Sequence, residues 1–308
     1  MSRLSQLPLG VRVFLMFILL VINYLIFPTA AAIILVPFIG LEKVQSIAAG
    51  NLVLESDKYI FLFLQGVGSL GAFAFTALLF SQIETGFPFK RLKINIKSPL
   101  KFFALALLSI MVAQVFIQFL VELNQKIPVP DAFKSLVEIG KQEEKMLDAM
   151  LAGTSVIHFI VITLVMAVIP AIAEEFFFRG LLLGELLREK IHPAVAITVT
   201  GFIFSMAHIQ FENFIAIWVL GAFLGYVFYI TGSLWVSIAV HFTNNFLAVF
   251  LKYLYNAGKL STDVSEASMP AYAVVISIII FSACIFLFNK WKMPVNFEEQ
   301  SFNEPTEL

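Results

Sequence analysis

The sequence is poor in charged residues and in cysteine. Only 13% of its 308 residues are charged, whereas 60% are hydrophobic and 34 are Phe. Since a soluble domain carries about 25% charged residues, this composition predicts an integral membrane protein. A net charge of −1 without a Lys/Arg-rich block argues against a nucleic-acid partner. The single cysteine, Cys284, excludes an intramolecular disulfide.

Long apolar runs predict an all-α fold, a polytopic membrane helical bundle of about eight transmembrane helices. A span needs about 20 apolar residues. The first run continues well past the roughly 7–15 apolar residues of a signal peptide, which favours an uncleaved first transmembrane helix. The predicted spans are 13–39, 59–80, 102–121, 160–187, 194–211, 213–231, 234–252 and 270–289.

The distribution of Lys and Arg predicts that both termini are cytoplasmic. Residues 82–101 hold five Lys or Arg against one Glu, whereas residues 122–153 hold four Lys against six acids. We divide the chain into N-terminal spans with an outer amphipathic connection (1–153), a core (154–252), and a last span with an acidic cytoplasmic tail (253–308).

The connection 122–153 predicts an amphipathic helix on the outer membrane surface. Apolar residues, among them Phe133, Leu136, Met146 and Met150, recur at near-helical spacing after Pro128 and Pro130. This helix is interpreted as a structural cap over the bundle, with a substrate-gating lid as the alternative.

Two glutamates and two histidines lie inside apolar segments, where such groups are costly to bury and usually serve chemistry or transport. Glu175 and Arg179 are four residues apart, which favours an ion pair on one helix face. Glu174 points about 100° away from Glu175 and is predicted to be a free carboxyl, suited to general-base catalysis. Glutamates at a cytoplasmic helix end would be the structural alternative.

The spacing of the polar residues predicts a shared site. Glu174 and His208 each lie 17 residues from Ile191, in the turn between two spans, so an antiparallel hairpin places them at equal depth. His241 and Asn245 share a helix face, as do Phe204 and His208. The alternative is that each histidine is a packing residue that hydrogen-bonds between helices.

Three motifs resemble the CPBP family, which comprises the type II CAAX prenyl proteases, bacteriocin-processing enzymes and Abi proteins. They are Glu174-Glu175-x-x-x-Arg179, Phe204-x-x-x-His208 and His241-x-x-x-Asn245, within residues 155–252. The resemblance implies an intramembrane endopeptidase. Its catalytic residues would be Glu174 as general base, His208 as water-orienting partner, and His241 and Asn245 as oxyanion donors. Glu175 and Arg179 would form a supporting pair, and Phe204 an apolar wall.

The resemblance leaves the cofactor open, because enzymes of this family are often called metalloproteases. Glu174, His208 and His241 are the candidate ligands for Zn²⁺. However, no H-E-x-x-H helix is present, and Asn is a better oxyanion donor than zinc ligand. We therefore expect no cofactor, with Zn²⁺ as the alternative.

The expected partners are the lipid bilayer and a membrane-associated peptide or protein substrate, either of CAAX type or a bacteriocin-like peptide. The compact chain favours a bacterial plasma membrane. One alternative is a non-catalytic scaffold or bacteriocin-immunity protein of the same fold. Another is a proton-coupled transporter, although the sequence shows no inverted repeat.

Overall fold

A computed structural model describes residues 4–129, 131, 134–264, 267–293, 295 and 297. Within these ranges the chain is helical and contains no strand. Residues Pro130 and Phe133 of the amphipathic connection, and residues 298–308 of the predicted acidic tail, lie outside the described residues.

Seven helices of the described chain are long and apolar enough to cross a membrane, so the predicted all-α membrane bundle is confirmed. They are α1 (Leu9–Ile39), α3 (Glu55–Thr85), α5 (Leu100–Gln125), α7 (Val156–Arg188), α9 (Phe211–Thr231), α10 (Leu234–Asn256) and α11 (Ala271–Trp291). The shorter helices are α2 (Leu41–Ala48), α4 (Pro88–Arg91), α6 (Lys134–Leu151) and α8 (Pro193–Ala207).

Helix α8 is shorter than the span predicted for residues 194–211. It is apolar but has only 15 residues, fewer than the about 20 needed to cross a bilayer. The helix ends at Ala207, with His208 as its C-terminal cap, and Ile209 has a φ of 56°. This left-handed conformation cannot continue a right-handed helix, so His208 lies at a helix end.

Helix α7, which carries Glu174 and Glu175, widens twice into π-helical turns. The turns Leu164–Val168 and Phe176–Leu183 flank a regular α-helical segment, Ile169–Glu175. Pro170 has no amide hydrogen for the carbonyl one turn earlier, and the first wide turn lies where that bond is missing. Wide turns of this kind occur frequently at functional sites. The second one begins directly after the two glutamates.

Glycines allow α8 and α9 to touch backbone to backbone. A Cβ added at Gly201 would lie 2.7 Å from the nitrogen of Ala222, and one added at Gly221 would lie 3.1 Å from the Cα of Gly201. Only small residues permit this approach between membrane helices. The close approach brings Phe204 of α8 against α9.

A buried ion network attaches the N-terminal helices to α7. Glu185 is fully buried and interacts with Arg12 of α1 and Arg91 of α4. Arg91 also donates from Nε to Glu84 at 2.6 Å. These charges compensate one another at buried positions, where an unpaired charge would be costly. The network therefore links α1, α3 and α4 to α7.

The predicted amphipathic helix is present as α6. Met150 is buried on its inner side, whereas Leu136, Ile139 and Leu147 are exposed. Its middle packs on the loop that follows His208, since a Cβ added at Gly140 would lie 3.0 Å from the carbonyl oxygen of Ile209. The position of α6 on the outer membrane surface stays a prediction.

Candidate active site

Glu175 is the centre of the polar cluster. Its Oε1 accepts hydrogen bonds from Arg179 Nη1 at 2.6 Å and from His241 Nδ1 at 2.9 Å. Its Oε2 accepts from Ser237 Oγ at 2.6 Å. The side chains of Glu175 and Arg179 are both 0% exposed. Three donors on one buried carboxylate give it a fixed orientation.

The ion pair predicted from helical spacing is present, but it extends beyond α7. Arg179 also donates from Nη2 to the carbonyl oxygen of Gly221 at 3.0 Å. Its guanidinium carbon lies 4.5 Å from the ring centre of Phe204, a cation–π contact. Phe204 is therefore more than an apolar wall, because it packs directly on the buried cation.

The hydrogen bond to Glu175 determines how His241 presents its ring. A carboxylate accepts only, so Nδ1 carries the hydrogen and Nε2 faces the other way. Nε2 lies 3.9 Å from Oε2 of Glu174, beyond hydrogen-bonding distance. This Glu174 oxygen is buried and has no hydrogen-bond partner within the described chain, while the Glu174 side chain as a whole is 14% exposed.

His208 is oriented by the backbone of its own helix. Its Nδ1 lies 2.8 Å from the carbonyl oxygen of Phe204. A carbonyl also only accepts, so Nδ1 donates and Nε2 is left as an acceptor. The Phe204 ring centre lies 4.6 Å from that of His208 and 5.8 Å from that of His241. One phenyl ring thus packs against both histidines.

Asn245 lies one helical turn after His241 on α10. Its Oδ1 accepts a hydrogen bond from Asn244 Nδ2 at 3.1 Å. Direct contacts join Glu174, Glu175, Arg179, Phe204, His208 and His241 into one cluster. Asn245 is connected to this cluster through its helix, without a described side-chain contact to the other members.

Two residues that contact the cluster or Asn245, Ser237 and Asn244, were not predicted from the sequence. Ser237 lies four residues before His241, so helical spacing places both on the face of α10 that meets Glu175. This four-residue spacing could have identified Ser237 from the sequence. Asn244 is not four residues from His241, and its contact with Asn245 depends on side-chain packing that spacing does not reveal.

The candidate zinc ligands are three side chains of this cluster. Glu174, His208 and His241 offer donor types that suit zinc, and each histidine has its Nδ1 hydrogen engaged, as is usual in metal sites. However, no group of three or more His, Cys, Asp or Glu side chains in the described ranges is arranged to hold a metal ion. We therefore derive no step through a metal.

Comparison with known families identifies the segment that carries this cluster. Residues 156–247 match the family described as type II CAAX prenyl endopeptidase Rce1-like, which confirms the resemblance predicted from the three motifs. The match begins at the start of α7 and ends two residues after Asn245. No curated protein and no solved structure matched this chain. The chain is an integral membrane protein with an Rce1-like region.

Proposed function

We propose that this protein is an intramembrane endopeptidase in which Glu174 activates a water molecule. One observation carries the proposal: Glu174 presents a buried, unpartnered carboxylate oxygen 3.9 Å from the Nε2 atom of a fixed histidine, His241. A buried oxygen without a protein partner commonly hydrogen-bonds to a water molecule. The Rce1-like match over residues 156–247 supports the same chemistry.

The proposed reaction begins with the water bound between Glu174 and His208. His208 Nε2 accepts one hydrogen bond from it, and Glu174 takes its other proton as the oxygen attacks the peptide carbonyl carbon. The new C–O bond forms while the carbonyl π electrons move to the carbonyl oxygen. The tetrahedral intermediate then collapses, the C–N bond breaks, and the leaving nitrogen receives the proton held by Glu174.

His241 and Asn245 stabilise the negative charge that develops on the carbonyl oxygen. His241 acts through Nε2, which donates when the imidazole carries both ring hydrogens, and Asn245 acts through its Nδ2 amide. Donors held in place before the reaction need not reorganise when the charge appears. Glu175, Arg179 and Ser237 supply this rigidity for His241.

The proposed substrate is a membrane-associated peptide or protein of CAAX type, in which a lipid on the cysteine anchors the chain at the bilayer. The test uses purified protein in lipid vesicles with a prenylated CAAX peptide and the same peptide without lipid, in water enriched in ¹⁸O. We expect cleavage of the prenylated peptide, with one ¹⁸O in the newly formed carboxylate.

Two histidine variants serve as a matched pair in this assay. His208→Ala should abolish cleavage, whereas His192→Ala, at an exposed turn, should leave it unchanged. Absence of cleavage of every peptide by well-folded protein would contradict an enzymatic function. Cleavage of the unprenylated peptide alone would contradict the proposed substrate class but not the mechanism.

A further inference from the structure

A chain of amide hydrogen bonds ends at Asn245. It begins at Gln114 on α5, whose Nε2 donates to the carbonyl oxygen of Ile110 at 3.2 Å and to Asn244 Oδ1 at 3.1 Å. Asn244 Nδ2 then donates to Asn245 Oδ1 at 3.1 Å. Three side-chain amides therefore connect a helix outside the Rce1-like segment to the proposed oxyanion donor.

The direction of this chain is determined at its starting point. The backbone carbonyl of Ile110 can only accept, so the Gln114 atom that faces it must be the amide nitrogen. That nitrogen also faces Asn244, which must then present its oxygen and turn its own NH₂ towards Asn245. Asn245 consequently has its oxygen engaged, and its Nδ2 makes no hydrogen bond within the described residues.

We infer that Gln114 and Asn244 are positioning residues that hold the Asn245 amide with its N–H groups available to the oxyanion. The inference rests on the proposed function, because it assigns a purpose to the Asn245 donor. An amide without this support can rotate by 180° and present its oxygen, which repels a developing negative charge instead of stabilising it.

Loss of the hydrogen bond between Gln114 and Asn244 should lower kcat by a factor that lies between two limits. An amide that flips freely spends half of its time in the correct orientation, so turnover would fall about twofold. Removal of an oxyanion donor typically lowers turnover by about 10²–10³-fold. Loss of the positioning bond should therefore reduce kcat by about tenfold. KM should change little, because the interaction strengthens only as charge develops in the transition state.

A purely structural role for Gln114 would give a different result. Polar side chains often hydrogen-bond between membrane helices and thereby contribute to packing. Loss of a packing contact would lower folded yield without a selective effect on kcat, and its effect would be independent of Asn245. The two roles are therefore separated by the kcat and KM values and by a double-mutant cycle.

The test compares Gln114→Met, which keeps the side-chain length but removes the amide, with the control Gln125→Met at an exposed position on the same helix. We expect about a tenfold lower kcat for Gln114→Met and none of this loss for the control. In an Asn245→Ala background, Gln114→Met should cause no further loss. An additive loss, or an unchanged kcat, would overturn the inference.

A second variant keeps the test decisive if Gln114→Met does not fold. Asn244→Asp preserves shape and can still accept from Gln114, but it offers Asn245 an oxygen in place of an NH₂ group. The Asn245 amide should then rotate to donate to Asp, and kcat should fall at least tenfold. If Asn245→Ala lowers kcat but Asn244→Asp keeps the wild-type kcat, the positioning role is refuted and the proposed function is not. Wild-type kcat in Asn245→Ala would instead refute the oxyanion role within the proposed function.

Discussion

Arg179→Ala would leave a buried carboxylate without its cation. Glu175 and Arg179 are both 0% exposed and are joined at 2.6 Å, so neither group can be solvated by water when its partner is removed. Removal of one partner from a buried ion pair typically costs about 3–5 kcal/mol. The lost hydrogen bond from Arg179 to Gly221 adds about 0.5–1.5 kcal/mol, a typical net value.

Two remaining donors moderate this cost. Ser237 and His241 still donate to Glu175 in the variant, which favours the lower end of the range for the stranded charge. We therefore expect the free energy of unfolding to fall by about 3–5 kcal/mol in total. Since α7 and α9 also lose their link through Gly221, peptide cleavage should fall together with folded yield.

The measurement is reversible unfolding in mixed detergent micelles for five proteins. These are wild type, Arg179→Ala, Glu175→Gln, the double variant of the two, and the control Lys134→Ala. The control removes an ion pair whose side chains are 71% and 91% exposed, so its stability should not change measurably. The double variant should be more stable than Arg179→Ala alone, because a neutral amide is less costly to bury than an unpaired carboxylate.

Wild-type stability in Arg179→Ala would refute the reasoning. If the variant unfolds like wild type but no longer cleaves substrate, Arg179 must interact with the substrate, for example with its terminal carboxylate. A double variant whose loss of stability equals the sum of the two single losses would show that the two charges are not coupled in the folded protein.

Three further results are expected. Ser237→Ala should lower kcat with little change in KM, because Glu175 loses one of the donors that orient it towards His241, and Ser237→Thr should restore kcat by returning the hydroxyl. Asn245→Ala should lower kcat by about 10²–10³-fold in steady-state cleavage assays. Elemental analysis of purified active enzyme should find less than one zinc per chain, whereas one zinc that is lost together with activity would overturn the metal-free mechanism.

Composition and helical spacing were sufficient to predict the features that depend on a single segment of the chain. Apolar run lengths predicted the membrane helices, and the four-residue interval between Glu175 and Arg179 predicted their ion pair. Residues on one helix have nearly fixed relative positions, so such pairs follow from the sequence with little further information.

The contacts between helices could not be predicted in the same way. The bond from His241 to Glu175 depends on how α10 rotates against α7, and the bond from Gln114 to Asn244 on how α5 meets α10. Neither rotation is encoded in the spacing of one segment. The end of α8 at Ala207 was also missed, because the predicted span counted the apolar residues Ile209 and Phe211 and the left-handed conformation of Ile209 has no sequence signature.

Turnover of Glu174→Gln tests the central proposal most directly. The substitution keeps the size of the side chain and removes the basic oxygen, while Glu175, Arg179 and His241 retain their contacts. Single-turnover cleavage should fall by about 10²–10⁴-fold, the usual cost of losing a general base, with folded yield and unfolding equal to those of wild type. Near wild-type turnover in purified Glu174→Gln protein would contradict the assignment of Glu174 as the base.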